Sequence, residues 1–410
     1  ATGRHVRDAR SRREARHMSD SVSSPAIPRQ SDGFSLPPGV RYLNCAYMSP
    51  LHRDVEAAGI QGMQRKRRPF EIEASDFFED SDRLRAAFSE LIGGTDPMRV
   101  AIVPSVSYGI TAAARNVAAP ARTSIVILAE QFPSNVYPWR RIAAEKGLIL
   151  RTVEPPSTEG SRGHAWNEAL LEAIDSSTSV VAVPNYHWMD GTRFDLEAVG
   201  ERARAVGAAL IVDGTQSVGA VPFDLAAVRP DALVCAGYKW LLGPYSLGLA
   251  WYGPRFDDGT PVEETWTSRP GSEDFRRVGE YTDDYRPAAA RYDVGERSNF
   301  ILVPMQLAAL ELIRSWTPAA IQSYCREITR DPLAEAGALG ISVEDESWRG
   351  SHLFGLRLPA RVDPSRLRPE LEARSLSVSL RGSAIRVAPH LYNEEADVRE
   401  LLEAIRATLL

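Results

Sequence analysis

Lysine is nearly missing from this chain. Its 410 residues carry 48 basic side chains, of which only Lys66, Lys146 and Lys239 are lysines. The arginine bias and the abundant alanine fit a GC-rich genome, and they make each lysine conspicuous. Cysteine is equally scarce. Cys45, Cys235 and Cys325 are scattered without a CxxC pair, which argues against a disulfide framework and against a zinc site. No metal ligand set is expected, and such usage points to a reducing cytoplasm. No apolar run approaches the roughly 18 residues that a bilayer span needs. The polar N-terminus lacks the apolar stretch of a secretory signal. A dominant charge is lacking too: the formal net charge of -6 offers no basic face for nucleic acid. No internal repeat is found, and no GxGxxG follows an apolar run, which sets a nicotinamide dehydrogenase aside. What remains is an ordinary globular composition, 44% hydrophobic and 25% charged. The length suits two or three folding units, or one large α/β unit with a smaller companion.

Residues 1–35 are rich in Arg, Ser and Pro without a hydrophobic period, and are predicted to be disordered. His17-Met18 resembles a cloning junction, so residues 1–17 are expected to be vector-derived and Met18 to be the native start. From about residue 100, short apolar runs alternate with amphipathic stretches. Runs ending near Val103, Leu128, Val183, Val212 and Val234, and a run from Ser246 to Tyr252, read as buried strands. Between them Leu196, Val199, Ala203 and Val206 share one helical face, with Asp195 as N-cap and Gly207 as C-cap. This alternation predicts a mostly parallel sheet covered by helices on both faces. Residues 253–300 are irregular and are expected to shape a pocket. Two long helical patterns follow Leu302. Strands are then expected over Leu353 to Leu358 and Ser375 to Val387, and a closing helix over Asp397 to Leu409. The resulting division is a large domain over 66–299 and a small α+β domain from 36–65 and 300–410.

Ligands of open α/β sheets gather at the carboxyl ends of the strands. The first run leads into Ser105-Val106-Ser107-Tyr108-Gly109 at a helix start, where hydroxyls and free N–H groups suit a phosphate, although taken alone the run reads better as a plain helix cap. The second leads into Glu130-Gln131-Phe132-Pro133-Ser134-Asn135, readable as a simple turn with a packed Phe. The third leads into His187-Trp188, where a core histidine is the commoner case. The fourth ends in Asp213-Gly214-Thr215-Gln216, and a carboxylate ending a buried strand is costly without a partner. The fifth leads into Tyr238-Lys239-Trp240. A lysine among apolar and aromatic neighbours loses solvation, which lowers its pKa and frees its amine to attack a carbonyl. Each signal alone is modest. Together they supply a phosphate cradle, an aromatic face, a carboxylate and an amine. Pyridoxal 5′-phosphate (PLP), bound as a Schiff base, needs that set.

At these residues the sequence resembles the class V aminotransferases among the fold-type I PLP enzymes, a group with cysteine desulfurases, kynureninases and isopenicillin N epimerase-like proteins. The resemblance covers roughly residues 40 to 408. It rests on Tyr42-Leu43-Asn44-Cys45-Ala46, on Glu130 to Asn135 with Pro138-Trp139, on Val212-Asp213-Gly214-Thr215-Gln216 with Lys239 26 positions after Asp213, and on Arg386-Val387-Ala388-Pro389 with Tyr392-Asn393. It implies that Lys239 carries the cofactor and moves protons at the substrate α-carbon. Asp213 would pair with the pyridine nitrogen, and Gln216 would face the phenolic oxygen. Phe132 would stack on the ring, with Trp188 as a further ring neighbour. Val106, Ser107 and Tyr238 would contact phosphate. Arg386 would bind the substrate α-carboxylate. Ser298 and Asn299, in Gly295-Glu296-Arg297-Ser298-Asn299, would reach the phosphate of a partner in a homodimer. Desulfurases carry a reactive Cys shortly before the C-terminal signature; here the segment reads Ser379-Leu380-Arg381-Gly382-Ser383, which disfavours that activity.

The expected function is PLP chemistry at the α-carbon of an amino acid or amino-acid conjugate, as an aminotransferase or carbon–sulfur β-lyase, with secondary metabolism as the setting. A kynureninase-like hydrolase or an epimerase is the alternative. A non-enzymatic binding module is disfavoured by the joint presence of Lys239, Asp213 and Arg386.

Overall fold

The computed structural model describes residues 27–156, 161–382 and 384–409. A short strand β1 (Arg41–Tyr42) precedes seven strands of one sheet: β2 (Val100–Val103), β3 (Ser124–Leu128), β4 (Ile149–Val153), β5 (Thr178–Pro184), β6 (Ala209–Asp213), β7 (Ala232–Ala236) and β8 (Gly248–Tyr252). Their spatial order is β2-β8-β7-β6-β5-β3-β4. Only β8 runs against its neighbours; the pairs from β7 through to β4 are parallel. The apolar runs read from the sequence are the strands of this sheet, and the fold is α/β with helices on both faces. The strand that the runs did not reveal is β4. It lies at the sheet edge, and most of its side chains are partly or fully exposed.

Strand alternation divides the core in two. Val126, Val181, Val183, Leu210, Val212 and Leu233 face one layer. Over them pack Leu84 and Phe88 (helix Glu79–Leu91), Trp166 and Leu170 (Arg162–Ala173), Val199 and Ala203 (Leu196–Val206), and Leu307 and Leu310 (Leu302–Trp316). The intervening residues Ile125, Ile127, Val180, Ala182, Ile211 and Val234 face the other layer. They meet Ile110 and Ala113 of the helix Val106–Asn116, and Trp139 and Ile142 of the helix Tyr137–Lys146.

The C-terminal part builds its own core. Strands β9 (Ser342–Val343), β10 (Phe354–Arg357), β12 (Ser379–Arg381) and β13 (Ala384–Val387) form an antiparallel sheet in the order β12-β13-β10-β9, while β11 (Leu376–Ser377) pairs with β1. Leu356, Ile385 and Val387 pack on Val398, Leu401 and Ile405 of the helix Glu395–Arg406. Leu43 joins this core, and Asn44 bridges Ala388.

Two expectations are corrected. Residues 27–35 are ordered: Phe34 is buried, Gln30 N–H donates to the Leu391 carbonyl, and Arg29 Nε donates to the Tyr392 carbonyl. A single aromatic in a polar stretch finds a slot that no local pattern announces. Residues 1–26, with the expected Met18 start, lie outside the described residues. The segment 253–300 does not line the pocket of its own chain. It is tied to the edge strand β2 instead, with Ile102 N–H donating to Asp293 Oδ1 and Val294 N–H to the Ile102 carbonyl.

Candidate active site

The carboxyl edge of the main sheet opens into a cavity of about 300 Å³. Val106, Ser107, Phe132, Trp188, Asp213, Gln216, Tyr238 and Lys239, each singled out from the sequence, line it together. At the end of β2, Ser105 caps the helix Val106–Asn116; its Oγ accepts from Tyr108 N–H and lies 2.9 Å from Ser107 Oγ. The cap and anion readings are therefore compatible, because a helix's first N–H groups have no partner within the helix.

The turn after β3 is held from below. Gln131 Nε2 donates to the carbonyls of Asn135 and Ala182, and Trp139 Nε1 donates to Asn135 Oδ1. This anchoring sets Phe132, whose ring centroid lies 5.1 Å from Lys239 Nζ. The Trp188 ring meets Phe132 edge to face at 5.4 Å and donates its Nε1 to the Glu130 carbonyl.

Asp213 ends β6, and its Oδ1 accepts from Thr215 N–H at 3.0 Å. Burial raises its pKa, against that hydrogen bonding and the nearby Lys239 charge. Burial lowers Lys239 to about 8, helped by Arg386 and Arg381 and opposed by Asp213 and Cys45. Among the described residues neither Asp213 nor Lys239 has an ion-pair partner. A buried carboxylate and a buried amine, both pushed toward neutrality and sharing a cavity with an aromatic wall and a helix start, fit PLP. Gln216 donates Nε2 to the Ala46 carbonyl and accepts from Trp240 Nε1, which leaves one amide N–H unspent.

Arg386 stands outside the cavity lining, behind Trp188. It is 1% exposed. Its Nη1 donates to the Trp188 carbonyl at 2.8 Å, and its Nη2 to Ser379 Oγ and Asn44 Oδ1. Its Nε has no acceptor among the described residues, and burial with the neighbouring Arg381 charge lowers its pKa to about 10. Ser298 and Asn299 do not reach this cavity; Asn299 Oδ1 caps the helix Leu302–Trp316 by accepting from Ile301 and Leu302 N–H. His187 is a core histidine, bonded to the Ala129 carbonyl and absent from the lining.

Sequence reasoning left other residues unassigned. Thr215, whose Oγ1 accepts from Ala236 N–H, was visible in the Asp213 run as a hydroxyl at a strand end. Tyr245 and Ser246 line the cavity from a turn in which Ser246 has φ +67°, and no periodicity signals them. Asn44 and Ser379 hold Arg386 from segments 335 positions apart, a pairing that only folding shows. All three thiols are buried, and burial raises their pKa values, that of Cys45 to about 12.

Comparison with known proteins adds an independent line. The family model described as aminotransferase class-V matches residues 64–343. The chain is 26% identical to the uncharacterized aminotransferase YcbU of Bacillus subtilis, over 80% of this chain and 84% of that one. It is 26% identical to isopenicillin N epimerase of Amycolatopsis lactamdurans, over 91% of this chain and 96% of the other. Among solved structures, the cystine C–S lyase C-DES in complex with its reaction product cysteine persulfide superposes with a TM-score of 0.80, at 18% identity, over 93% of this chain and 100% of that one.

Proposed function

The chain belongs to the class V aminotransferase family and is a PLP-dependent enzyme, and from that premise we propose that Lys239 carries the cofactor and moves the proton at the α-carbon of an amino acid or amino-acid conjugate. The observation that carries this reading is the pair Lys239 and Asp213, buried in one cavity and, among the described residues, without an ion-pair partner. When bound, PLP draws electrons away from the α-carbon of an attached amino acid. Asp213 keeps a proton on the pyridine nitrogen. Phe132 covers a ring face, with Trp188 at its edge. Val106, Ser107 and Tyr238 hold the phosphate, and the free amide N–H of Gln216 faces the phenolic oxygen. Arg386 receives the substrate α-carboxylate, for which a forked guanidinium is well shaped.

We further propose a homodimer in the cytoplasm. Ser298 and Asn299 would then serve the neighbouring subunit's phosphate. Tyr281, 97% exposed, and the exposed Tyr47 and Tyr245 are large side chains that a partner subunit would cover. A monomeric mass by light scattering would count against it. Among the described residues no helix is long and apolar enough to cross a membrane.

The leading reactions are transamination and carbon–sulfur β-elimination. A desulfurase is disfavoured because its reactive thiol must be reachable as thiolate, whereas Cys45, Cys235 and Cys325 are buried. The second reading is an epimerase or a kynureninase-like hydrolase; likeness to isopenicillin N epimerase along most of the chain favours the former. The test starts with the visible spectrum of the wild type and of Lys239→Ala. A band that borohydride bleaches and the variant lacks is expected, and no band even with added PLP would refute the proposal. Candidate amino acids then separate the reactions. A keto product or a released thiol supports the leading reading. Inversion with α-hydrogen exchange supports the epimerase, and an anthranilate-like product from kynurenine the hydrolase.

A further inference from the structure

A second guanidinium stands beside Arg386. Arg381 ends β12, and its Cζ lies 5.1 Å from the centre of the Trp188 ring. Arg386 donates to the carbonyl of the same tryptophan. The register of the β12–β13 hairpin explains the convergence. Ser379 stands opposite Arg386, and Arg381 opposite Ala384. Arg381 is two positions beyond Ser379 on one strand, so its side chain shares the face that carries Arg386. Diagonal neighbours of this kind lie about 7–8 Å apart, within reach of long side chains.

Nothing within the described residues neutralises the two. Neither arginine has a carboxylate in ion-pair range, and each has a buried Nε without an acceptor. Arg381 spends one Nη1 bond on the Leu380 carbonyl. A buried donor left unpaired is costly, and the Arg381 charge disfavours the neighbouring Arg386 charge, a repulsion that the contact of Arg381 with the Trp188 ring offsets only for Arg381. The arrangement becomes favourable when an anion lies against each fork. Trp188 lines the cavity that holds Lys239, both arginines contact Trp188, and both of their charges act on Lys239, which places the two forks at the margin of the substrate's space.

We infer that Arg381 and Arg386 form a two-point anion clamp, and that the substrate is an amino acid or conjugate with a second acid group besides its α-carboxylate. The inference rests on the reading of Arg386 given above and adds the substrate class. Arg381 is its specificity residue.

The test titrates the PLP-loaded full chain calorimetrically with two matched pairs, L-glutamate against L-glutamine and L-2-aminoadipate against L-norleucine. Within each pair only one ligand has the second carboxylate. At least one diacid is expected to bind about tenfold or more tightly than its partner, the usual yield of one charged hydrogen bond. In Arg381→Gln that ratio falls to near one, whereas Arg386→Gln weakens all four ligands. Arg381→Lys, which keeps the charge and a long stem, retains part of the ratio and serves if the glutamine variant does not fold. Equal binding within both pairs in the wild type overturns the clamp. So does a loss in Arg381→Gln that is the same for diacid and partner, which would make Arg381 a structural stacker on Trp188. A wild type without the cofactor band, or an Arg386→Gln variant that binds all four normally, overturns the underlying reading of the site instead, and the clamp with it.

Discussion

Lys239 and Asp213 are each pushed toward their neutral forms by the same burial. For the lysine this has a kinetic consequence. Its amine, lowered to about 8, is mostly protonated at pH 6 and mostly free at pH 9. Only the free amine attacks an aldehyde. The rate at which cofactor-free protein captures PLP should therefore rise about tenfold per pH unit below 8 and level off above it. Stopped-flow absorbance measures this directly, and a rate still climbing steeply at pH 10 would indicate an ordinary, solvated lysine. These two residues were legible because each follows an apolar run, where a charged group is conspicuous. Arg386 was legible only through the family's C-terminal signature. Its supports, Asn44 and Ser379, were not legible, since a hydrogen bond across 335 positions has no local trace.

Elements announce themselves when their own residues stabilise their ends. The helix Leu196–Val206 starts where Asp195 Oδ1 accepts from Ala198 N–H and stops at Gly207 with φ +77°. Asp195→Ala should cost about 1 kcal/mol, the usual value of an N-cap, and leave the cofactor spectrum as it is. Urea denaturation beside an absorption scan tests both halves. The turn after β6 behaves differently. Gly219 has φ +100°, and a Cβ there would lie 2.2 Å from the Trp240 carbonyl oxygen, next to Lys239. Gly219→Ala should cost about 2 kcal/mol or more and also weaken PLP binding, because relief of the clash moves the backbone beside Lys239. A variant with wild-type PLP affinity would show that the loop yields elsewhere. Strand β4 escaped detection for the converse reason. Its Arg151 and Thr152 interrupt the apolar run, and what holds it at the sheet edge is its parallel pairing with β3.

At the scale of the molecule, an aromatic and histidine chain joins segments that the sequence kept apart. Phe34 contacts Tyr392 at 4.9 Å and His52 at 5.3 Å, and His52 contacts Trp316. Trp316 reaches His390, and Trp240, the neighbour of Lys239, meets both His390 and His352. The N-terminal segment, the helix Leu302–Trp316, the lysine turn and the C-terminal part thus share one buried seam. No periodicity reveals it, because each segment contributes only one or two rings. The seam carries a titratable liability. Burial lowers His390 to about 3 and His352 to about 4, and neither ring nitrogen of His390 has a hydrogen-bond partner among the described residues. In the unfolded chain both titrate near 6.5. Between about pH 6.5 and pH 4 the unfolded state therefore binds more protons than the folded state. Stability is full above 6.5 and falls as the pH drops, with a limiting slope of about 1.4 kcal/mol per pH unit for each histidine. His390→Phe removes one of the two titrations and both unpartnered nitrogens while keeping a ring in the seam. Urea unfolding at several pH values should then show the wild type losing stability below pH 6.5 and the variant losing it with a visibly shallower slope. Equal slopes would mean that His390 is protonated in the folded protein, and that the seam opens to water before the rest of the molecule unfolds.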